Sequence, residues 1–278
     1  MPEWFFIMSM GLFGLLFGSF ANVVVWRLPR GESVVRPGSH CPSCDTPLAW
    51  YDNIPLLSYA LLRGRCRTCD APISRRYPAV EAASGVLFVV AALLYGVSVQ
   101  AVFSAVFLWG LLVLSLIDVA HFRLPNAIVG ALAIVGLVGA ILSQVLGVPV
   151  VPLIGMTASG PMAEPLVAAL VGALAAGGLS FAFAEGYALL RKRQGFGMGD
   201  VKLLGVLGLF IGLYAFMALF IGSLLGSIYA IARARTTTRA GLGSAKLPFG
   251  AFLALGTFVC LLVGQPAWHW YLQGVGLS

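Results

Sequence analysis

Residues 100–118 read Gln-Ala-Val-Phe-Ser-Ala-Val-Phe-Leu-Trp-Gly-Leu-Leu-Val-Leu-Ser-Leu-Ile-Asp: eighteen positions without a charge, then Asp118. As a helix rising 1.5 Å per residue, the run covers about 27 Å, close to the hydrocarbon thickness of a bilayer. Similar apolar runs occupy 4–26, 77–97, 125–147, 164–190, 200–212, 214–232 and 248–268. None alternates with the two-residue period of a membrane strand. Composition points the same way, with 60% hydrophobic and 10% charged residues, where a soluble domain carries about 25% charged. The 34 glycines suit helices that approach closely in lipid. The expected fold is an all-α polytopic membrane protein of about eight transmembrane helices.

Charge sets the orientation. All 17 lysines and arginines fall into four segments: 27–76, Arg123, the stretch from Arg191 to Lys202, and 233–246. By the positive-inside rule these are cytoplasmic, so both termini face outward. The tract 200–232 is long for one span and short for two; two spans turning near Gly212 keep every cation inside. The net charge of +7 is thus accounted for by orientation, and no nucleic-acid partner is expected. The opening Met1-Pro2-Glu3 lacks a basic n-region, so the first span is expected to be retained and not removed as a signal peptide. The outer stretch 147–163, rich in Pro, Gly and Ser, reads as a connector. Trp268, His269, Trp270 and Tyr271 read as an outer aromatic belt.

One soluble insert stands between the first two spans, at 28–76. It holds Cys41-Pro-Ser-Cys44 and Cys66-Arg-Thr-Cys69, two C-x2-C pairs at zinc-site spacing. Two disulfides are the alternative, disfavoured in a reducing cytoplasm. An insert this small gains from a metal, and four thiolates close the coordination shell, so the expected Zn2+ is structural. Cys260, alone in the last span, reads as an inert buried thiol.

The chain has only ten acids, and two stand at span ends on the cytoplasmic side. Asp118 closes the third span. Asp200 opens the sixth, in Gly197-Met198-Gly199-Asp200. Peptide hydrolysis by carboxyl groups needs such a pair: one ionised to take a proton from water, one protonated to donate to the carbonyl oxygen. Gly197 and Gly199 are expected to leave the backbone free to bend towards a substrate strand. Each Asp also has a plainer reading, as an interfacial residue or, for Asp200, a helix N-cap. A proton or ion pathway uses intramembrane acids too. Asn22, Arg27 and Glu81, at the inner ends of the first two spans, read either as contacts to a substrate or methyl donor or as caps and interhelical hydrogen bonds. Glu185, inside the fifth span, is expected to face the bundle. The cluster Arg191-Lys192-Arg193 reads as a topology anchor, and His121 as a bystander.

Taken in order, Gly18-Ser19-Phe20-Ala21-Asn22, Arg27-Leu28-Pro29, Cys41-Pro-Ser-Cys44, Trp50-Tyr51-Asp52-Asn53-Ile54-Pro55, Arg63-Gly64-Arg65-Cys66, Arg76-Tyr77-Pro78 with Glu81, the Asp118 segment, Gly-x-Gly-Asp at 197–200 and Pro248-Phe249-Gly250 resemble the type IV prepilin leader peptidases. The likeness covers nearly the whole chain. It implies a bacterial cytoplasmic-membrane aspartyl peptidase with Asp118 and Asp200 as the catalytic pair. Its substrates would be prepilins or pseudopilins with a short basic leader ending in Gly, cut at the cytoplasmic face. N-methylation by S-adenosylmethionine would follow, and pilus or type II secretion machinery would be the indirect partner. The expected division is 1–27 as the first span, 28–76 as the four-cysteine zinc-binding loop domain and 77–278 as the peptidase domain. Two positions depart from the common pattern: Ala120 where many members carry a second Asp, and Asn126 where many carry Asp. A peptidase without methyl transfer, an ion- or proton-coupled transporter, and a non-catalytic assembly factor are the competing readings.

Overall fold

The structure, a computed structural model, describes residues 1–152, 164–192, 196–236 and 247–274, with the backbone alone for 235–236, 265, 267–269, 271–272 and 274. Arg193, Gly195, Arg239, Lys246, most of the connector (153–163) and the side chains of Arg235, Trp268, His269 and Tyr271 lie outside the described residues. Those residues fold as helices α1 (Glu3–Arg27), α2 (Leu57–Leu61), α3 (Arg76–Tyr95), α4 (Val99–His121), α5 (Asn126–Leu146), α6 (Pro165–Arg191), α7 (Met198–Ile211), α8 (Tyr214–Thr236) and α9 (Phe249–Gly274). Among them there is no strand, only two isolated bridges inside the insert.

Each of the eight expected apolar runs is a helix. Among the described residues six are long and apolar enough to cross a membrane; α7 has only 14 residues, and α9 is a helix of 26 residues whose stretch Phe249–Gly264 is apolar. The turn expected near Gly212 is present: α7 stops at Ile211, and Gly212 takes a φ of +58° that a side chain would resist.

The chain divides into two compact units, Met1–Trp109 and Gly110–Ser278. In the first, α1 packs along α3. A Cβ on Gly18 would lie 2.6 Å from the Glu81 Cα, so the backbones all but touch. Ser84 Oγ donates to Gly14 O at 2.6 Å, satisfying a hydroxyl that lipid could not. The second span, grouped by the sequence reading with 77–278, thus packs with the first.

In the second unit α7 is the central helix, touched by α5, α6, α8 and α9. Val201, Leu203, Leu204 and all of 206–211 are buried. A helix apolar all round is what an interior position requires, and an interior helix has no need to match the bilayer thickness. It meets α6 through glycines: a Cβ on Gly208 would come within 2.3 Å of the Gly172 backbone. The inward face of α6 carries Ala168, Ala169, Gly172, Ala176, Ser180 and Ala184. Glu185, one residue on, turns outward and is exposed. This corrects the expectation that it faces the bundle.

Candidate active site and metal centre

Three helix ends of the second unit converge on the two aspartates. Asp118 sits in the last turn of α4 and is only 5% exposed. Its Oδ2 accepts the Ala251 N–H, in the first turn of α9, at 3.3 Å; the Gly250 N–H also reaches the carboxylate. First-turn N–H groups have no partner inside their own helix, so a carboxylate that takes them satisfies both sides. Asp200 lies in the first turn of α7, close enough to Asp118 for their charges to interact. Residues some eighty positions apart are thereby brought to one end of one bundle.

The local geometry adds a second reason for the glycines. Neither Gly197 nor Gly199 has a positive φ; what each supplies is space. A Cβ on Gly197 would lie 2.8 Å from the Asp200 Oδ2, and one on Gly199 would lie 3.2 Å from the Leu124 Cβ. Gly197, and not Asp200, is the N-cap of α7. The Asp200 carboxyl folds back over it. Gly250 is confined in the same way, with Leu124 at 2.9 Å and Asp118 Oδ2 at 3.1 Å from an added Cβ. Leu124 therefore touches both the α7 and the α9 glycines. Leu124 and Ala251 were not singled out from sequence. The only available signal was a glycine in the first turn of an apolar helix, just after Pro248.

In the first unit the insert brings Cys41, Cys44, Cys66 and Cys69 together, with all four sulfurs within 4.8 Å of one another. Each pair folds alike. Asp45 N–H donates to Cys41 O at 2.8 Å and Asp70 N–H to Cys66 O at 3.1 Å; Asp45 and Asp70 both take positive φ, 53° and 59°. The Cys41–Cys69 sulfur separation is 3.8 Å. That is far beyond a disulfide bond, and equals the edge, about 3.8 Å, of a tetrahedron with metal–sulfur bonds of about 2.3 Å. Backbone N–H groups of Cys69 and Thr68 push the Cys66 thiol down to about 6. At Cys69 the Ala71 N–H favours the thiolate, but burial and the neighbouring sulfurs outweigh it and push the thiol up to about 12. Four thiolates this close need a cation between them. The four sulfurs can hold a metal ion.

The family models follow the same two-part division. That of the Bacterial Peptidase A24 N-terminal domain matches residues 12–95, and that of the Type IV leader peptidase family matches 105–231. Among relatives, the Prepilin leader peptidase/N-methyltransferase of Stutzerimonas stutzeri is 34% identical over 96% of this chain and 94% of its own. The protein of that name from Pseudomonas aeruginosa is 32% identical over 98% and 96%, and that from Klebsiella pneumoniae 38% over 72% and 83%. The chain belongs to the type IV leader peptidase family. No solved structure matches it.

Against the family pattern, position 120 is exposed, two residues along α4 from the buried Asp118. A helix turns about 200° in two residues, so Ala120 lies away from the converging helix ends. Asn126 opens α5, and its Oδ1 accepts from Lys202 Nζ at 3.0 Å. His121, the last residue of α4, is exposed.

The three polar candidates of the first unit are engaged internally. Asn22 Nδ2 donates to Tyr77 O at 3.2 Å and to Gly18 O at 3.4 Å, tying α1 to α3. Arg27 is buried and donates to Ser33 O, Pro37 O and Gly38 O at 3.2, 2.6 and 3.2 Å, so the chain leaving α1 wraps round its guanidinium. Glu81 Oε2 accepts the Leu56 N–H at 2.9 Å, and the Ser19 hydroxyl also reaches its carboxylate. Cys260 is buried and forms no disulfide.

Proposed function

We propose that this chain is a membrane aspartyl endopeptidase that removes the leader from prepilin-like or pseudopilin precursors at the cytoplasmic membrane face. The observation that carries the reading is the placement of Asp118 and Asp200 at one end of a bundle, where Leu124 packs against Gly199 and Gly250 beside them and α9 holds Asp118 through backbone N–H groups. One carboxyl takes a proton from the attacking water while its partner donates to the scissile carbonyl oxygen; the tetrahedral adduct then collapses as the new amine takes up a proton. The α9 N–H groups fix the Asp118 carboxylate in place before the substrate arrives, and fixed geometry is a large share of such a rate enhancement. A transporter reading fits less well, because both acids lie at helix ends and not at mid-membrane.

The same reading places the chain in the bacterial inner membrane, with the insert and both aspartates inside and both termini outside, and with α7 and α9 completing eight spans. Zn2+ is the ion proposed for Cys41, Cys44, Cys66 and Cys69. A closed thiolate shell leaves it no open position, so it stabilises the insert and takes no part in cleavage. N-methylation of the new N-terminus follows cleavage in this reading, as the relatives' shared name suggests, and draws on S-adenosylmethionine. For Asn22, Arg27 and Glu81, the internal hydrogen bonds support the reading as caps and interhelical ties over that of contacts to substrate or methyl donor. The processed substrates would feed a pilus or a type II secretion system.

The test is conversion, in membranes, of a precursor with a short basic leader ending in Gly ahead of an apolar helix. Mass spectrometry should show the leader lost and one methyl group added to the new N-terminus. With Asp118→Asn or Asp200→Asn the precursor should stay intact although the protein still inserts. Cleavage by either variant near the wild-type rate would refute the assignment.

A further inference from the structure

Leu56 has a conformation rare for its residue type. Its φ is +61° and ψ −45°, and Leu57 N–H donates to Pro55 O at 2.6 Å. This is a γ-turn of the strained hand. It persists because the Leu56 N–H is taken by the buried Glu81 carboxylate at 2.9 Å. Such strain is kept only where the surroundings over-determine it, and the bond also fixes a depth. Glu81 is five residues into α3, about 7.5 Å along its axis, and Ser19 is eight residues before the end of α1, about 12 Å along it. The turn therefore does not sit above the two spans. It lies beside the first turns of α3 and the last turns of α1, the level at which an interfacial segment would meet the headgroups.

What flanks the turn suits that depth. Leu57 and Leu61 stand four apart on one face of α2 and are 51% and 73% exposed; Trp50, on the adjoining 3-10 turn, is 79% exposed. Asp52, in the same turn, is held by Arg67 of the second cysteine pair, with contacts of 2.6 to 3.1 Å. The patch is thus fastened to the metal centre on one side and to Glu81 on the other. Around it, residues 28–76 carry seven arginines against four acids, a net charge of +3, or +1 once four thiolates and a Zn2+ ion are counted. A cationic surface repels a basic leader peptide and attracts anionic headgroups.

We propose that Trp50, Leu57 and Leu61 are embedded in the headgroup region of the leaflet on the insert's side, with anionic phospholipid as the occupant of this face and Glu81 as the residue that positions it. The inference does not depend on the proposed chemistry.

Its test is fluorescence of the full-length protein in phosphatidylethanolamine–phosphatidylglycerol bilayers, where the difference between wild type and Trp50→Phe isolates Trp50. Phospholipids brominated near the headgroup end of the chain should quench at least about half of that emission, and aqueous iodide should quench little. Emission that ignores the brominated lipid, whether iodide reaches it or protein covers it, overturns the proposal. In Leu57→Gln/Leu61→Gln protein that retains its bound metal, lipid quenching of Trp50 should fall at least about twofold. Unchanged quenching would also overturn it. Precursor cleavage by the same samples reports separately on the Asp118–Asp200 assignment.

Discussion

A methyl group added at Gly250 would lie 2.9 Å from Leu124 and 3.1 Å from the Asp118 carboxylate. Gly250→Val should therefore displace Asp118 without touching its chemistry. Precursor cleavage is expected to fall by about a hundredfold, the scale of a misplacement near 1 Å, while membrane insertion and metal content stay unchanged. Gly197→Val should act alike on Asp200, whose Oδ2 lies 2.8 Å from an added Cβ; retained activity in both would show that these glycines do not shape the site. At this scale the two acids were legible, because ten acids in 278 residues leave few places for paired carboxyls. Their supports were not. Ala251 acts through a backbone N–H and Leu124 through packing, and neither carries a side-chain signature that a sequence displays. For the glycines the sequence suggested backbone freedom, and the lack of space around them shows only in the structure.

Helices α6 and α7 approach through Gly172 and Gly208, where an added Cβ would meet backbone atoms at 2.3–2.6 Å. A side chain there cannot be relieved by a rotamer change, so Gly208→Leu should cost about 1–3 kcal/mol or more by overpacking. Thermal unfolding in detergent checks this, and a midpoint equal to wild type would show that the helices separate freely. In the insert, Cys44→Ser should abolish tight metal binding, measured as bound metal per protein, because a four-thiolate site missing one sulfur is open. Arg67 sits between Cys66 and Cys69 and grips Asp52. Metal loss should therefore also raise proteolytic cutting within 50–56, and an unchanged cutting pattern would break that link. The helices were legible from length and hydropathy alone. The centrality of α7 was not, since burial among other helices and exposure to lipid select the same apolar residues.

Two compact units, one bearing the cysteine site and one bearing both aspartates, make up the whole molecule. Charge placement along the sequence supplied an orientation, and motif order supplied the family, whose two models follow the same division of the chain. Contact between α1 and α3 was not legible, because apolar spans carry no mark of which neighbour they pack against. The central claim is that the two carboxyls act as one device, and non-additivity tests it most directly. Single-turnover cleavage would be compared for Asp118→Asn, Asp200→Asn and the double variant in the same membranes. Each single change should cost about a thousandfold or more, and the double change no more than a few-fold beyond either, since a unit once broken has little left to lose. Losses that multiply in the double variant, or a single variant that cuts near the wild-type rate, would contradict the account.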